Sequence, residues 1–199
     1  FVDSIDLADL ISLVFSAPLF AIYLLTLILL INNSSRSFIS SIFCFILGLI
    51  FLGILPTAPI IIAARSGETD IFVFEREKRF KFFIIAIASY ITGALLFLIM
   101  NDHELFLFLL CYATVTSAIA LSTLITKSSV HTAGIAGPVT YIVMMYGIEF
   151  LVLYILLIPV SWARWVSKAH TYKQLLLGII ISILVTALTI YLESYLNNF

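Results

Sequence analysis

The chain has 199 residues, 63% of them hydrophobic and 11% charged, with a mean hydropathy of +1.21 and a formal net charge of −1. A soluble domain sits nearer ~45–50% apolar and ~25% charged, so a soluble globular fold is excluded and the long apolar runs read as transmembrane helices. The expected architecture is an all-α polytopic bundle of about six to seven spans, one domain over residues 1–199 that must both fold and carry the function. Cys44 and Cys111 lie inside apolar runs and suggest neither a disulfide framework nor a metal site.

Residues 1–9 place Asp3, Asp6 and Asp9 three apart among Val2, Ile5 and Leu7, the pattern of a short interfacial amphipathic helix. The acidic start and the long apolar run behind it predict a retained helix rather than a cleaved signal peptide. A first span is expected over 10–31, closed by the polar turn 32–36. A second runs over 38–64, with Pro56 and Pro59 near its end, where neighbouring helices can re-satisfy the backbone groups that proline frees.

The most charged segment follows, Arg65 to Lys81, reading R-S-G-E-T-D-I-F-V-F-E-R-E-K-R-F-K. A third span covers 82–100, Asn101-Asp102-His103-Glu104 links it to a fourth over 105–126, and Lys127-Ser128-Ser129-Val130-His131 comes next. If residues 131–164 formed one helix, His131 and Arg164 would lie on opposite membrane faces, with Glu149 stranded at a cost of at least ~2.5–3.5 kcal/mol. A turn at Tyr146-Gly147-Ile148-Glu149 avoids this by giving two short spans. A last span covers 172–192.

With that turn, nine of the ten Lys and Arg residues share one face, Arg36 being the exception. Three polar clusters then meet there: Arg76 and Arg79; Lys127, Ser129 and His131; Arg164, His170 and Gln174. Guanidinium forks suit a phosphate dianion. Ser129 and the Val130 amide open a helix whose N–H groups point at an anion. His103 lies on the other face without a partner. The 101–104 link lacks the aspartate spacing of prenyltransferases and of Mg-dependent alcohol phosphotransferases.

In order, these clusters resemble the three signatures of the type-2 phosphatidic acid phosphatase superfamily of membrane lipid phosphatases, K-x6-R-P, P-S-G-H and S-R-x5-H-x3-D. Ala163-Arg164, five residues, His170, three residues and Gln174 keep the spacing of the third; Ser128-Ser129-Val130-His131 keeps the Ser and His of the second; Arg79-Phe80 stands at Arg-Pro of the first. The family's Lys position is Phe72, with Arg76 as substitute donor. D-x5-R-x2-R, K-x-S-x-H and H-T-x2-Q resemble an archaeal and bacterial branch, over most of the chain.

The resemblance implies a metal-independent, cofactor-free lipid phosphatase acting on polyprenyl or diether/diacyl lipid phosphates or diphosphates. In it His170 attacks phosphorus, His131 protonates the leaving alkoxide, and Arg79 and Arg164 clamp the phosphate with Arg76 and Lys127 as helpers. Gln174 replaces the family's Asp beside the nucleophile and cannot stabilise an imidazolium as a carboxylate does. A catalytically weak relative that binds anionic lipid headgroups is therefore the alternative. A seven-helix retinal or transport protein would want an ionisable residue in mid-bundle, whereas Lys173 lies at the mouth of the last span. The partner is a lipid in the bilayer, not nucleic acid. The Lys and Arg excess predicts a cytoplasmic site face in a prokaryotic plasma membrane, although most enzymes of that family resemble ones facing away from the cytoplasm.

Overall fold

The computed structural model describes residues 6–32, 34, 36–73 and 75–196. Asp3 and the rest of residues 1–5 of the predicted interfacial helix lie outside them, as do Asn33 and Ser35 of the first predicted turn and Phe74 of the charged segment. The described residues form an all-α bundle: α1 Leu7–Val14, α2 Ala17–Ile31, α3 Phe38–Gly48, α4 Leu55–Arg65, α5 Arg79–Ile99, α6 His103–Ile125, α7 Val130–Tyr146, α8 Leu157–Val166 and α9 Tyr172–Leu196. Five helical stretches are long and apolar enough to cross a membrane, and six if the bent pair α1–α2 counts as one. The chain is an integral membrane protein.

The first predicted span is in fact two helices meeting at 48°. Ser16 is extended and Pro18 sits in the first turn of α2, so the chain restarts a helix there instead of continuing one. α1 packs against α8, burying Ala8 and Ser12. The second span is continuous but changes winding: α3 passes through a π-helical turn, Leu49–Ile54, into α4. Pro56 and Pro59 each clash with the carbonyl four residues back, and a wider turn just ahead of them relieves that clash.

The turn at Gly147 is present. α7 ends at Tyr146, and Gly147 adopts φ +129 and ψ 165, a conformation essentially restricted to glycine. A Cβ there would lie 2.3 Å from a Glu149 carboxylate oxygen. Gly147→Ala is expected to destabilise the protein by about 1–3 kcal/mol, read as a lower melting midpoint in detergent; an unchanged midpoint would show that the turn tolerates a side chain.

The two thin segments on either side of this turn differ in winding, and only the second is long and apolar enough to cross by itself. α7 has 17 residues and reaches ~25 Å. The return begins with a 3-10 stretch, Ile148–Leu156, whose nine residues at ~2.0 Å, followed by ten of α8 at ~1.5 Å, reach ~33 Å. Tight winding lengthens a segment that would be short as pure α-helix. Helix directions then put the 65–81, 127–131 and 164–173 segments, with α1, at one end of the bundle.

The opposite end is tied by a polar network. Arg36 forks onto Asp102, with Nη2 2.9 Å from Oδ1, and reaches Glu104 at 3.0 Å. Asn32 Nδ2 donates to both Glu104 oxygens at 2.9 and 3.0 Å, Tyr146 donates to the same carboxylate, and the Tyr141 hydroxyl donates to the Glu104 carbonyl at 2.8 Å. The lone cation of this face thus joins the ends of α2, α6 and α7.

Candidate functional site

Local structure explains the spacing Arg164, five residues, His170. α8 ends in a Schellman turn: the Ala169 amide donates to the Arg164 carbonyl at 3.1 Å and the Lys168 amide to Trp165 at 2.9 Å. Lys168 takes the left-handed position at φ +53. The reversed chain lets the His170 amide also donate to the Arg164 carbonyl, at 3.3 Å. Arg164 and His170 are therefore set beside each other by one helix end, and both are buried.

Gln174 does not sit above His170 on a shared helix. His170 precedes Thr171, which caps α9, and Gln174 is the third helical residue. Gln174 Oε1 accepts the Thr171 amide at 3.1 Å and Thr171 Oγ1 accepts the Gln174 amide at 3.4 Å. This reciprocal pair is a capping box. The same amide also hydrogen-bonds toward His170 in the sense that favours its proton. H-T-x2-Q thus has a structural reading of its own beside the chemical one.

The second cluster is pinned to the third. Ser129 caps α7, its Oγ accepting the Thr132 amide at 3.4 Å, while its own amide donates to the Gln174 carbonyl at 3.1 Å. Thr132 Oγ1 donates to the Leu175 carbonyl at 3.0 Å. Gly178 permits this approach, since a Cβ there would lie 2.5 Å from the Ser129 carbonyl oxygen. Val130 is the first residue of α7, so its amide lies among the N–H groups that a helix start leaves unpaired. His131 follows at the inner edge of the cluster.

Arg79 comes from the first cluster. It is buried at the start of α5, with Nε donating to the Val73 carbonyl at 2.8 Å and Nη1 3.5 Å from the Ser128 carbonyl. Val73 itself is at φ +48, rarely adopted by a β-branched residue. Lys127 Nζ donates to the Ala169 carbonyl at 3.0 Å. Arg164 Nη1 donates to Ser12 of α1 at 3.2 Å, and its guanidinium lies 4.8 Å from the Phe72 ring centroid. The Phe72 ring is in turn 5.8 Å from that of His131. Asp9 and Asp70 act electrostatically on Arg164.

Arg76 is not brought to this cluster. Its guanidinium donates to the carbonyls of Leu124 and Ile125 at the end of α6, where unpaired C=O groups and the helix dipole favour a cation. Ser12 is the addition that no motif disclosed; Phe72 and Thr171 stood at motif positions, but their packing and capping roles were not legible from spacing.

The electrostatics of the cluster are those of an anion site. Burial pushes the His170 imidazole down to about 3, reinforced by Arg79, Lys127 and Arg164, with Gln174 opposing. Burial, then Arg79 and Arg164, lower the Lys127 ammonium too. His170 is therefore neutral at ordinary pH. The unfolded chain binds the proton that folded His170 refuses, so stability should fall as pH drops from about 6.5 toward about 3. Melting midpoints between neutral pH and pH ~4 check this: His170→Gln should flatten the slope, and an equal slope in both proteins would contradict it.

Two cavities approach the cluster. Arg79 and His131 line the mouth of an apolar crevice of about 500 Å³ that runs into the bundle. Lys127, His170 and Gln174 line a shallower, more open hollow of about 550 Å³ together with Trp165, Lys168 and Tyr172. The two histidines are close enough to act on each other electrostatically. Nε2 of His131 and Nδ1 of His170 are buried without a hydrogen-bond partner among the described residues. No group of three or more His, Cys, Asp or Glu suited to a metal occurs among the described residues. No family model, curated protein or solved structure matches the chain.

Proposed function

We propose that this protein is a metal-independent lipid phosphatase of the type-2 phosphatidic acid phosphatase kind, acting at one face of a prokaryotic plasma membrane. One observation carries the reading: Arg79, Lys127 and Arg164, from three distant parts of the chain, gather at His170. Lys127 holds the carbonyl before it, Arg164 lies at the same helix end and Arg79 is on the Ser128 carbonyl; together with burial they keep its imidazole neutral. Three gathered cations favour a multiply charged anion, and a neutral imidazole beside them is in the form that attacks phosphorus.

The partnerless ring nitrogen of His170 attacks phosphorus and the P–O bond to the lipid breaks. The leaving oxygen takes a proton from His131. Water, deprotonated by His131, then hydrolyses the phosphohistidine and releases inorganic phosphate. Arg79 and Arg164 balance the charge on the non-bridging oxygens, and the Val130 amide adds a backbone donor. The Lys and Arg excess on this face supports a cytoplasmic orientation.

Lipid binding without turnover has an observation on its side as well: Gln174 Oε1 already accepts the Thr171 amide, and a neutral amide stabilises an imidazolium poorly. Gln174→Glu separates the two readings. It keeps the capping box and adds a negative charge beside His170, and is expected to raise phosphate release about tenfold, a gain of ~1.4 kcal/mol in the barrier. The assay is release of inorganic phosphate from lipid mono- and diphosphates in detergent with EDTA present. No release from either protein would leave binding as the function; release abolished by EDTA would overturn metal independence.

A further inference from the structure

The crevice behind His131 has dimensions of its own. Along α7 its lining runs from His131 to Tyr141, and along α5 from Arg79 to Tyr90. Ten or eleven helical residues advance ~15 Å, which is half of a ~30 Å hydrocarbon layer, the depth of one leaflet. The charged end is at the mouth, and the walls are otherwise mostly apolar, with scattered hydroxyls such as Thr57, Thr116 and Thr186. Leu19, Ile54 and Ile61 line the crevice and are also exposed on the outer surface of the bundle, so it opens sideways to lipid between α2 and α4. Left empty, a void of about 500 Å³ would forfeit packing comparable to a domain's whole stability.

We infer that the crevice seats one hydrocarbon chain of the phosphate-bearing lipid and gauges its length, selecting an acyl or ether-linked chain about one leaflet long over a long polyprenyl chain. This rests on the lipid phosphatase reading for the headgroup end alone. The phosphate lies between Arg79 and His131 at the crevice mouth and His170 in the neighbouring hollow, the chain enters between α2 and α4, and its end meets the buried Tyr90 and Tyr112, with Gly53 on the adjoining wall. Gly53 is the position at which the gauge can be reset. A Cβ there meets only the Ile22 and Leu49 side chains at 3.6 Å or more, so a larger side chain can start without a clash and project into the space.

The test uses alkyl monophosphates of graded chain length carrying a photoreactive diazirine at the chain end, with the full-length protein in detergent. One-leaflet chains are expected to label the α5 and α6 peptides containing Tyr90 and Tyr112. Gly53→Phe is expected to weaken binding of the longest such chain about tenfold, as overpacking does, and to leave the shortest within about twofold. Labelling confined to lipid-facing residues such as Ile84 and Leu95 would overturn the inference even if Gly53→Phe fails to fold. Equal binding of a polyprenyl monophosphate would overturn the length gauge. Labelling needs no turnover, so labels at these buried tyrosines without phosphate release sink the phosphatase reading alone. Release without such labels sinks the crevice alone.

Discussion

His170→Ala should lower the release of phosphate from a lipid phosphate by at least about a thousandfold while leaving the protein folded. The imidazole is neutral and unpaired at a ring nitrogen; His131 also carries an unpaired ring nitrogen, but its part is proton transfer to the leaving oxygen, so it does not replace the attack on phosphorus. Residual hydrolysis would come from the charge field of Arg79 and Arg164, which remains. His131→Ala removes a proton donor instead and should cost about 10²–10⁴-fold, with the smaller loss on substrates whose leaving group needs no proton. Phosphate release measured beside melting curves separates lost chemistry from lost fold. A radiolabelled lipid phosphate quenched during turnover should also leave a base-stable, acid-labile phosphoprotein in the parent and none in His170→Ala. Undiminished release from His170→Ala would end the assignment.

The largest stability loss is expected at the other end of the bundle. Arg36→Ala leaves Asp102 and Glu104 side by side without the cation that neutralises both. Removing one partner of a buried ion pair costs ~3–5 kcal/mol, and the side-chain exposures of 16%, 9% and 23% for Arg36, Asp102 and Glu104 argue for the low end. A loss of about 3 kcal/mol corresponds to a midpoint lower by roughly 6–12 °C for a chain of this size.

The pH dependence provides the sign. In the parent, burial pushes the Asp102 carboxyl up, but the Arg36 fork and the Leu105 amide outweigh it and hold it below its ordinary value. Its contribution is therefore full above that value and is lost as pH falls through the lower, folded one. Without Arg36 burial wins, the carboxyl protonates first in the folded state, and acid should narrow the gap between variant and parent. Melting both proteins from neutral pH to pH ~4 reads this directly. A constant gap would mean that the network is not electrostatic in origin. Arg36→Met with Asp102→Leu should recover much of the loss, since apolar replacement of a buried pair is often neutral.

The far-face network also shows how a sequence conceals a polar cluster. Arg36 and Asp102 are 66 residues apart and lie in loops that read as ordinary polar turns. Their meeting depends on α2, α3 and α6 ending at one level, which no local pattern states. The same limit appears at the site. Arg76 and Arg79 stand three apart, yet one reaches the carbonyls of α6 and the other turns inward, because residues 75–78 form a bend and turn and the helix begins only at Arg79. His170 and Gln174 have helical spacing, but the helix begins between them.

Hydropathy by itself determined that the chain is a helical membrane bundle. The cost of burying Glu149, with Gly147 two residues before it, also determined where the chain turns back after α7. Both follow from the bilayer, which acts on every residue according to its depth and needs no knowledge of neighbours. Only the tertiary structure decided which cations surround His170, that Phe72 lies between Arg164 and His131, and that the two histidines open onto different cavities. Those depend on how each helix is rotated and where each cap stops it, and rotation is set by packing between segments far apart in the chain.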